Sequence, residues 1–211
     1  MSDLDLRSGA VAIAIRRHRL IAVLRRVQPR RALLELVDEL ADAGVRIFEV
    51  TLDAPAGADD LAAVRSRLAG GGCLVGAGTI LRTEQLDAAR GAGADFAVAP
   101  LLDAGLLRSA VEGGLPFVPG AMTPTEVAAA WDAGATFVKL FPASAVGPAF
   151  VRELRGPLPA IELIPTGGVD VENAGDFLAA GAAAVGIGSA IARATPGERR
   201  AMVESLVATP A

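Results

Sequence analysis

The sequence predicts an α/β chain folded as a (β/α)8, or TIM, barrel with an extra N-terminal helix. Three observations carry this. Eight short apolar runs of strand type alternate with Ala-rich helical stretches. The runs are apolar throughout rather than alternating, as expected of parallel strands covered on both faces. Eight βα units is the number that closes a barrel, and about 26 residues per unit fits the compact end of that fold. An open doubly wound sheet is the competing arrangement. No linker, low-complexity segment or charge block divides the chain, so one domain over residues 1–211 is expected.

The elements follow in order. A helix near 8–18 precedes the first strand, Leu20–Leu24. The other strands are expected at Val45–Val50, Cys73–Ala77, Asp95–Ala99, Leu115–Val118, Thr136–Leu140, Ile161–Ile164 and Ala183–Ile187. Helices are expected between them near 30–43, 57–69, 83–91, 103–113, 123–133, 147–155 and 170–180, with a last one near 197–208. Thr123-Pro124-Thr125-Glu126 places a cap, a proline and an acid at a helix start. Ala43-Gly44, Arg90-Gly91, Glu112-Gly113, Ala133-Gly134 and Ala180-Gly181 read as helix ends, where glycine accepts the left-handed backbone.

Composition narrows the function. Net charge is −4 and the arginines are scattered, which argues against nucleic acid as a partner. The N-terminal run is acidic and does not read as a signal peptide. The longest uncharged run, 177–192, is too short for a span of about 20 apolar residues, so no membrane is expected. The single cysteine, Cys73, fits a reducing, cytoplasmic setting. His18 stands in a basic stretch and reads as a solvated helix-end residue. With one His and one Cys, no nitrogen- and sulfur-rich metal site is expected, and the motifs call for no cofactor.

The chain has one lysine, Lys139, in the apolar run Ala135-Thr136-Phe137-Val138-Lys139-Leu140-Phe141-Pro142. Arginine supplies all its other basic side chains apart from His18. Lysine is seldom buried without a partner or a task. A desolvated lysine amine can lose its proton and attack a carbonyl, whereas a guanidinium stays protonated. Lys139 therefore reads as a Schiff-base nucleophile, against the plainer reading of a strand-end lysine reaching solvent.

In a (β/α)8 barrel the reactive groups stand at the C-terminal strand ends. Arg25 follows the first strand and Glu49 and Thr51 lie on the second. Glu49 can shuttle protons and Arg25 can hold an anion. The alternative is a structural ion pair of Glu49 with Arg25 or Lys139. Thr166-Gly167-Gly168 and Gly188-Ser189 close the last two strands, the usual place for a phosphate cradle in this fold. Gly76-Ala77-Gly78 lacks the third spaced glycine and the acid of a dinucleotide fingerprint.

Six segments, taken together, resemble a known family. They are Leu20-Ile21-Ala22-Val23-Leu24-Arg25, Glu49-Val50-Thr51-Leu52, Val75-Gly76-Ala77-Gly78-Thr79, Phe117-Val118-Pro119-Gly120, Val138-Lys139-Leu140-Phe141-Pro142-Ala143 and Pro165-Thr166-Gly167-Gly168-Val169. They resemble, in order and over about residues 10 to 205, the 2-keto-3-deoxy-6-phosphogluconate (KDPG) aldolase family. That family also includes 4-hydroxy-2-oxoglutarate and 2-dehydro-3-deoxy-6-phosphogalactonate aldolases.

The resemblance implies a homotrimeric barrel and metal-free class I aldol chemistry, in carbohydrate metabolism of the Entner–Doudoroff type. It implies Lys139 as the Schiff-base residue and Glu49 as the acid/base. It implies that Arg25, Thr79 and Thr166 hold the pyruvate half, that Pro100 and Phe141 shape the pocket, and that Gly167, Gly168, Gly188 and Ser189 hold phosphate. One position departs: Asp53, in Leu52-Asp53-Ala54-Pro55, stands where the family usually has Arg or Asn. It is an expected substrate-contacting position where an anion would act against an anionic substrate, against the plainer reading of a rim carboxylate that points to solvent or pairs with a nearby arginine.

The expected reaction is cleavage of a 2-keto-3-deoxy (phospho)sugar acid to pyruvate and an aldehyde, with glyceraldehyde 3-phosphate the expected product. The rivals are another Schiff-base lyase or decarboxylase acting on a 2-keto acid, and a barrel that binds a keto acid without turnover.

Overall fold

A computed structural model describes residues 3–207. Met1, Ser2 and residues 208–211 lie outside the described residues, and with them the start of the acidic N-terminal run and the two ends of the expected 1–211 domain. The last residue of the expected 197–208 helix lies outside them too.

Nine short strands build the sheet: β1 (Leu20–Leu24), β2 (Ile47–Thr51), β3 (Leu74–Gly78), β4 (Ala97–Val98), β5 (Phe117–Val118), β6 (Gly120–Ala121), β7 (Val138–Leu140), β8 (Leu163–Pro165) and β9 (Val185–Ile187). All pairings between them are parallel, in the orders β5-β4-β3-β2-β1-β9 and β6-β7-β8. Two joints close these arcs into one ring. The expected fifth strand, Leu115–Val118, ends as β5 at Pro119, which has no N–H to continue the ladder, and the chain resumes pairing beyond its expected end as β6. The Pro119 carbonyl still accepts from Lys139 N at 2.8 Å. At the other joint Thr166 bridges Gly186, and Ala183 N donates to the Leu163 carbonyl at 2.9 Å. The barrel is therefore closed, with the expected eight strands counted as nine.

Side chains alternate strictly across this ring. One buried cluster contains Ala22, Leu24, Phe48, Val50, Val75, Ala77, Val138, Leu140, Val185 and Ile187, packed outward under the helices. A second contains Ile21, Val23, Ile47, Phe96, Val98, Val118, Phe137, Ile164 and Ala184, which face the barrel axis. The expected N-terminal helix is two: α1 (Asp3–Ser8) and α2 (Ala10–His18), broken at Gly9. Ala12 and Ile15 of α2 join the inner cluster, so α2 plugs the N-terminal end of the barrel. Arg16 locks it there with a bidentate pair to Glu162 at 2.8 and 2.6 Å. His18 ends α2, half-buried rather than fully solvated, and at the barrel end remote from the strand C-termini. Desolvation, then Arg17 and Arg46, pushes its imidazole below the usual 6.5.

The outer layer follows the expected order: α3 (Arg30–Asp42), α4 (Gly57–Arg67), α5 (Thr83–Gly91), α6 (Ala104–Glu112), α7 (Pro124–Asp132), α8 (Gly147–Arg155), α9 (Ala174–Ala179), α10 (Ser189–Arg193) and α11 (Pro196–Val207). α10 was not expected, since five residues are too few to show helical periodicity. Gly44, Gly134 and Gly181 end their helices with φ of 108°, 96° and 102°, as expected. After α5 and α6 the left-handed residues are Gly93 and Gly114 instead of Gly91 and Gly113. Those two helices end where expected, at Gly91 and Glu112, and the left-handed residue follows two positions later.

At the start of α7, Thr123 Oγ1 accepts from Glu126 N at 3.3 Å, and Glu126 Oε2 accepts from the N–H groups of Met122 and Thr123 at 2.9 Å. This capping box satisfies donors that the first helical turn leaves free. We expect Thr123→Ala to lower stability by about 1 kcal/mol in chemical denaturation. The backbone N–H groups of Met122 and Thr123 also hold the Glu126 carboxyl below its ordinary 4.5. A depressed folded value means stability that is present above the ordinary value and is lost as pH falls through the folded one. Acid-unfolding curves of Glu126→Gln should therefore be flatter below about pH 4.5 than those of the parent; identical slopes would show that the carboxylate adds nothing.

Candidate active site

The polar groups of the inner face begin where the apolar filling stops. On β2, Glu49 continues the inward series after Ile47; on β7, Lys139 follows Phe137; on β8 and beyond, Thr166 follows Ile164. All three are buried: Glu49 is 2 % exposed, Lys139 4 % and Thr166 8 %. They stand at the C-terminal end because α2 occupies the other.

Glycines clear space for them. An added Cβ at Gly78 would fall on the Glu49 carboxylate, and one at Gly186 would fall on the Thr166 hydroxyl. Gly76 similarly yields to the ring of Phe96. These glycines on β3 and β9 are thus read best as room for neighbouring side chains. The same fact disposes of the partial dinucleotide fingerprint on β3.

Glu49 Oε1 is buried and has no hydrogen-bond partner, and Thr51 Oγ1 is likewise unpartnered. A desolvated carboxylate oxygen left unpaired is costly unless a ligand or water meets it. Among the described residues Glu49 forms no ion pair, so the structural Glu49–Arg25 and Glu49–Lys139 pairs considered from sequence are absent. Lys139 Nζ lies 5.1 Å from the centroid of the Phe141 ring, within cation–π range.

A cavity of about 350 Å³ opens over Lys139. That is the lower range for small-molecule sites. Arg25, Lys139, Phe141, Thr166, Gly167, Gly168, Gly188 and Ser189 all line it, as the sequence led one to expect. Gly167 and Gly168 have φ of 85° and 77°, and Cβ atoms there would strike Phe141 and Ser144 respectively. A backbone this bare can approach a ligand closely. Val23, Val169, Ala192 and Arg193 complete the wall. Arg193 escaped the sequence reading because it rides on the short α10.

Four expected residues stand outside that wall. Glu49 is in the adjoining inner layer, between Val23 of β1 and Gly76 of β3. Thr79 accepts a long hydrogen bond from Arg25 at 3.4 Å. Its φ of 60° is a genuine outlier for a β-branched residue. Strain of this kind, about 1–3 kcal/mol, persists where surroundings impose it and clusters at functional sites. Pro100, half-buried after β4, presses its carbonyl against Gly120. Asp53 turns to Arg26: its Oδ2 lies 3.1 Å from Arg26 Nε, and its own carbonyl accepts from the same guanidinium at 3.1 Å. Asp53 thus forms a rim ion pair with the neighbouring loop, the plainer of its two expected readings.

Barrel and cavity together define the class: a (β/α)8 barrel whose strand C-termini gather a buried lysine, a buried carboxylate and a glycine-walled, cationic pocket. Comparison with known proteins takes the next step. The family model "KDPG and KHG aldolase" matches residues 11–203. The 2-dehydro-3-deoxy-6-phosphogalactonate aldolase of Escherichia coli is 38% identical over 176 residues, covering 83% of this chain and 85% of that one. The 2-dehydro-3-deoxy-phosphogluconate aldolase of Pseudomonas aeruginosa is 34% identical over 181 residues, covering 85% and 80%. The crystal structure of the Legionella pneumophila KDPG aldolase, with pyruvate captured at low pH as a covalent carbinolamine, superposes with a TM-score of 0.81 at 26% identity, over 95% of this chain and 98% of that one. The chain belongs to the KDPG and KHG aldolase family. Its activity is accordingly that of an aldolase, a lyase. Among the described residues no helix is long and apolar enough to cross a membrane.

Proposed function

We propose that this chain is a class I aldolase that cleaves a 2-keto-3-deoxy phosphosugar acid to pyruvate and an aldehyde, with glyceraldehyde 3-phosphate the aldehyde we favour. The observation that carries this is the buried amine of Lys139 at the floor of a cavity with a cationic, glycine-lined wall. In this reading the neutral Lys139 amine adds to the C2 ketone, and the carbinolamine loses water to give an iminium. The iminium accepts the electron pair of the C3–C4 bond as Glu49, directly or through a water, takes the C4 hydroxyl proton. The aldehyde leaves, C3 of the enamine is protonated, and hydrolysis of the imine releases pyruvate and the free amine. The Legionella pneumophila carbinolamine supports the first step by analogy.

Arg25, Thr79 and Thr166 hold the pyruvate half in this reading. Pro100 and Phe141 shape the pocket, and Gly167, Gly168, Gly188 and Ser189 receive the phosphate. The unit we propose is one domain acting as a cytoplasmic homotrimer. Leu81, Leu101 and Met122, exposed after the neighbouring strands β3, β4 and β6, give such an assembly apolar surface to cover.

The test is release of pyruvate from a panel of phosphorylated and unphosphorylated 2-keto-3-deoxy acids of either C4 configuration. No pyruvate from any of them overturns the proposal. Asp53→Asn belongs in the same panel. An unpaired carboxylate near 4 Å from a substrate anion would cost about 1 to 4 kcal/mol, depending on solvent access. With Arg26 beside it that field is largely cancelled, so we expect the phosphorylated-to-unphosphorylated ratio of kcat/KM to change by less than about threefold. A larger change would return Asp53 to the substrate site.

A further inference from the structure

The cavity holds one cation that neither the sequence motifs nor the proposed catalytic steps use. We propose that Arg193 is the specificity cation for the phosphate of the substrate, an inference that rests on the aldolase reading above. Three observations lead to it. First, Arg193 lines the same wall as Gly167, Gly168, Gly188 and Ser189, and its guanidinium donates to Ser189 Oγ at 3.4 Å. The spacing from Ser189 to Arg193 puts the two side chains on one face of α10, one turn apart. Second, Arg193 is exposed and, among the described residues, pairs with no carboxylate, whereas the rim carboxylate Asp53 is already taken by Arg26. Third, the lining beside Arg193 is otherwise neutral: Gly167, Gly168 and Gly188, the Ser189 hydroxyl and the apolar Val169 and Ala192, with Arg25 and Lys139 the cavity's remaining cations.

A phosphate carries close to two charges, and neutral donors leave most of that charge uncompensated. Arginine presents paired N–H groups matched to phosphate oxygens and keeps its charge at any working pH. The cavity's other arginine, Arg25, follows β1, the strand beside β9, and is hydrogen-bonded to Thr79. A 2-keto-3-deoxy phosphosugar acid has an anion at each end. In this assignment Arg25 meets the carboxylate, Arg193 the phosphate and Lys139 the keto carbon.

Arg193→Gln and Arg193→Lys decide this, assayed with a phosphorylated 2-keto-3-deoxy acid and its unphosphorylated counterpart. For Arg193→Gln we expect kcat/KM on the phosphorylated acid to fall by about 10- to 100-fold, mostly through KM, as for loss of charge-assisted hydrogen bonds. The unphosphorylated acid should change by less than about threefold, and Arg193→Lys should regain part of the loss. An equal fall on both acids, or less than threefold on the phosphorylated one, overturns the role. Borohydride trapping with pyruvate separates the two levels of inference, since it requires no phosphate and should succeed in parent and variant alike. If the parent neither traps pyruvate nor cleaves either acid, the aldolase reading fails. Calorimetric binding of inorganic phosphate, weakened in Arg193→Gln or unchanged, then still decides for or against Arg193.

Discussion

Lys139→Arg and Lys139→Met should each abolish aldol cleavage while leaving the barrel folded. Arg retains charge and length but cannot become a neutral amine, so covalent chemistry stops. The loss expected is on the order of 10⁴–10⁶-fold, the scale seen when a covalent nucleophile is removed. Met makes the sharper argument. Lys139 is 4 % exposed, pairs with no carboxylate among the described residues and has its Nζ 5.1 Å from the Phe141 ring centroid. Burying an ammonium costs several kcal/mol, and replacing a buried charge by an apolar side chain of similar volume is often neutral or stabilising. The thermal midpoint of Lys139→Met should therefore equal or exceed that of the parent. Function and stability then part company at one residue, which a lysine kept for packing would not allow.

Borohydride with pyruvate gives the direct readout. No other side-chain amine exists in the chain, so one adduct should map to the peptide containing Lys139, with the Met1 amine as internal control. Adduct at Met1 alone, or none at all, would sink the Schiff-base mechanism.

Much of this site was legible because covalent chemistry leaves a mark in residue type. A single lysine in an apolar strand is a conflict between composition and burial, and such conflicts point to function. The strand order was legible for a different reason: glycine at helix ends and apolar runs of fixed spacing report local physics that the barrel merely assembles. What escaped depends on contacts between distant segments. Asp53 was marked by its departure from the family pattern, and the sequence left open whether it meets substrate or a nearby arginine; that Arg26, from the preceding βα loop, is its partner depends on a contact between separate loops. The room that Gly78 and Gly186 leave shows only once their neighbours across the sheet, Glu49 and Thr166, are placed against them. Pro119 was quoted as part of a motif, but its effect on the ladder shows only where β5 stops and β6 starts. Arg193 was invisible because a five-residue helix has no periodicity to read.

Glu49→Gln should lower cleavage by about 10²–10⁴-fold, the usual worth of a general acid–base group. The fall should come in kcat, because the amide keeps the shape of the carboxylate and its bulk in the pocket but cannot carry the proton in the transition state. Imine formation with pyruvate, which needs the Lys139 amine first, should persist and remain trappable by borohydride. Stability adds an independent reading. The parent side chain is 2 % exposed with Oε1 buried and unpartnered. A neutral amide fills the same space without a charge to desolvate, so the denaturation midpoint of Glu49→Gln should not fall. Lower kcat with retained trapping and undiminished stability is the pattern of a carboxylate held for proton transfer. Parent-level kcat would remove Glu49 from the mechanism, and a large drop in stability would instead make it a structural group.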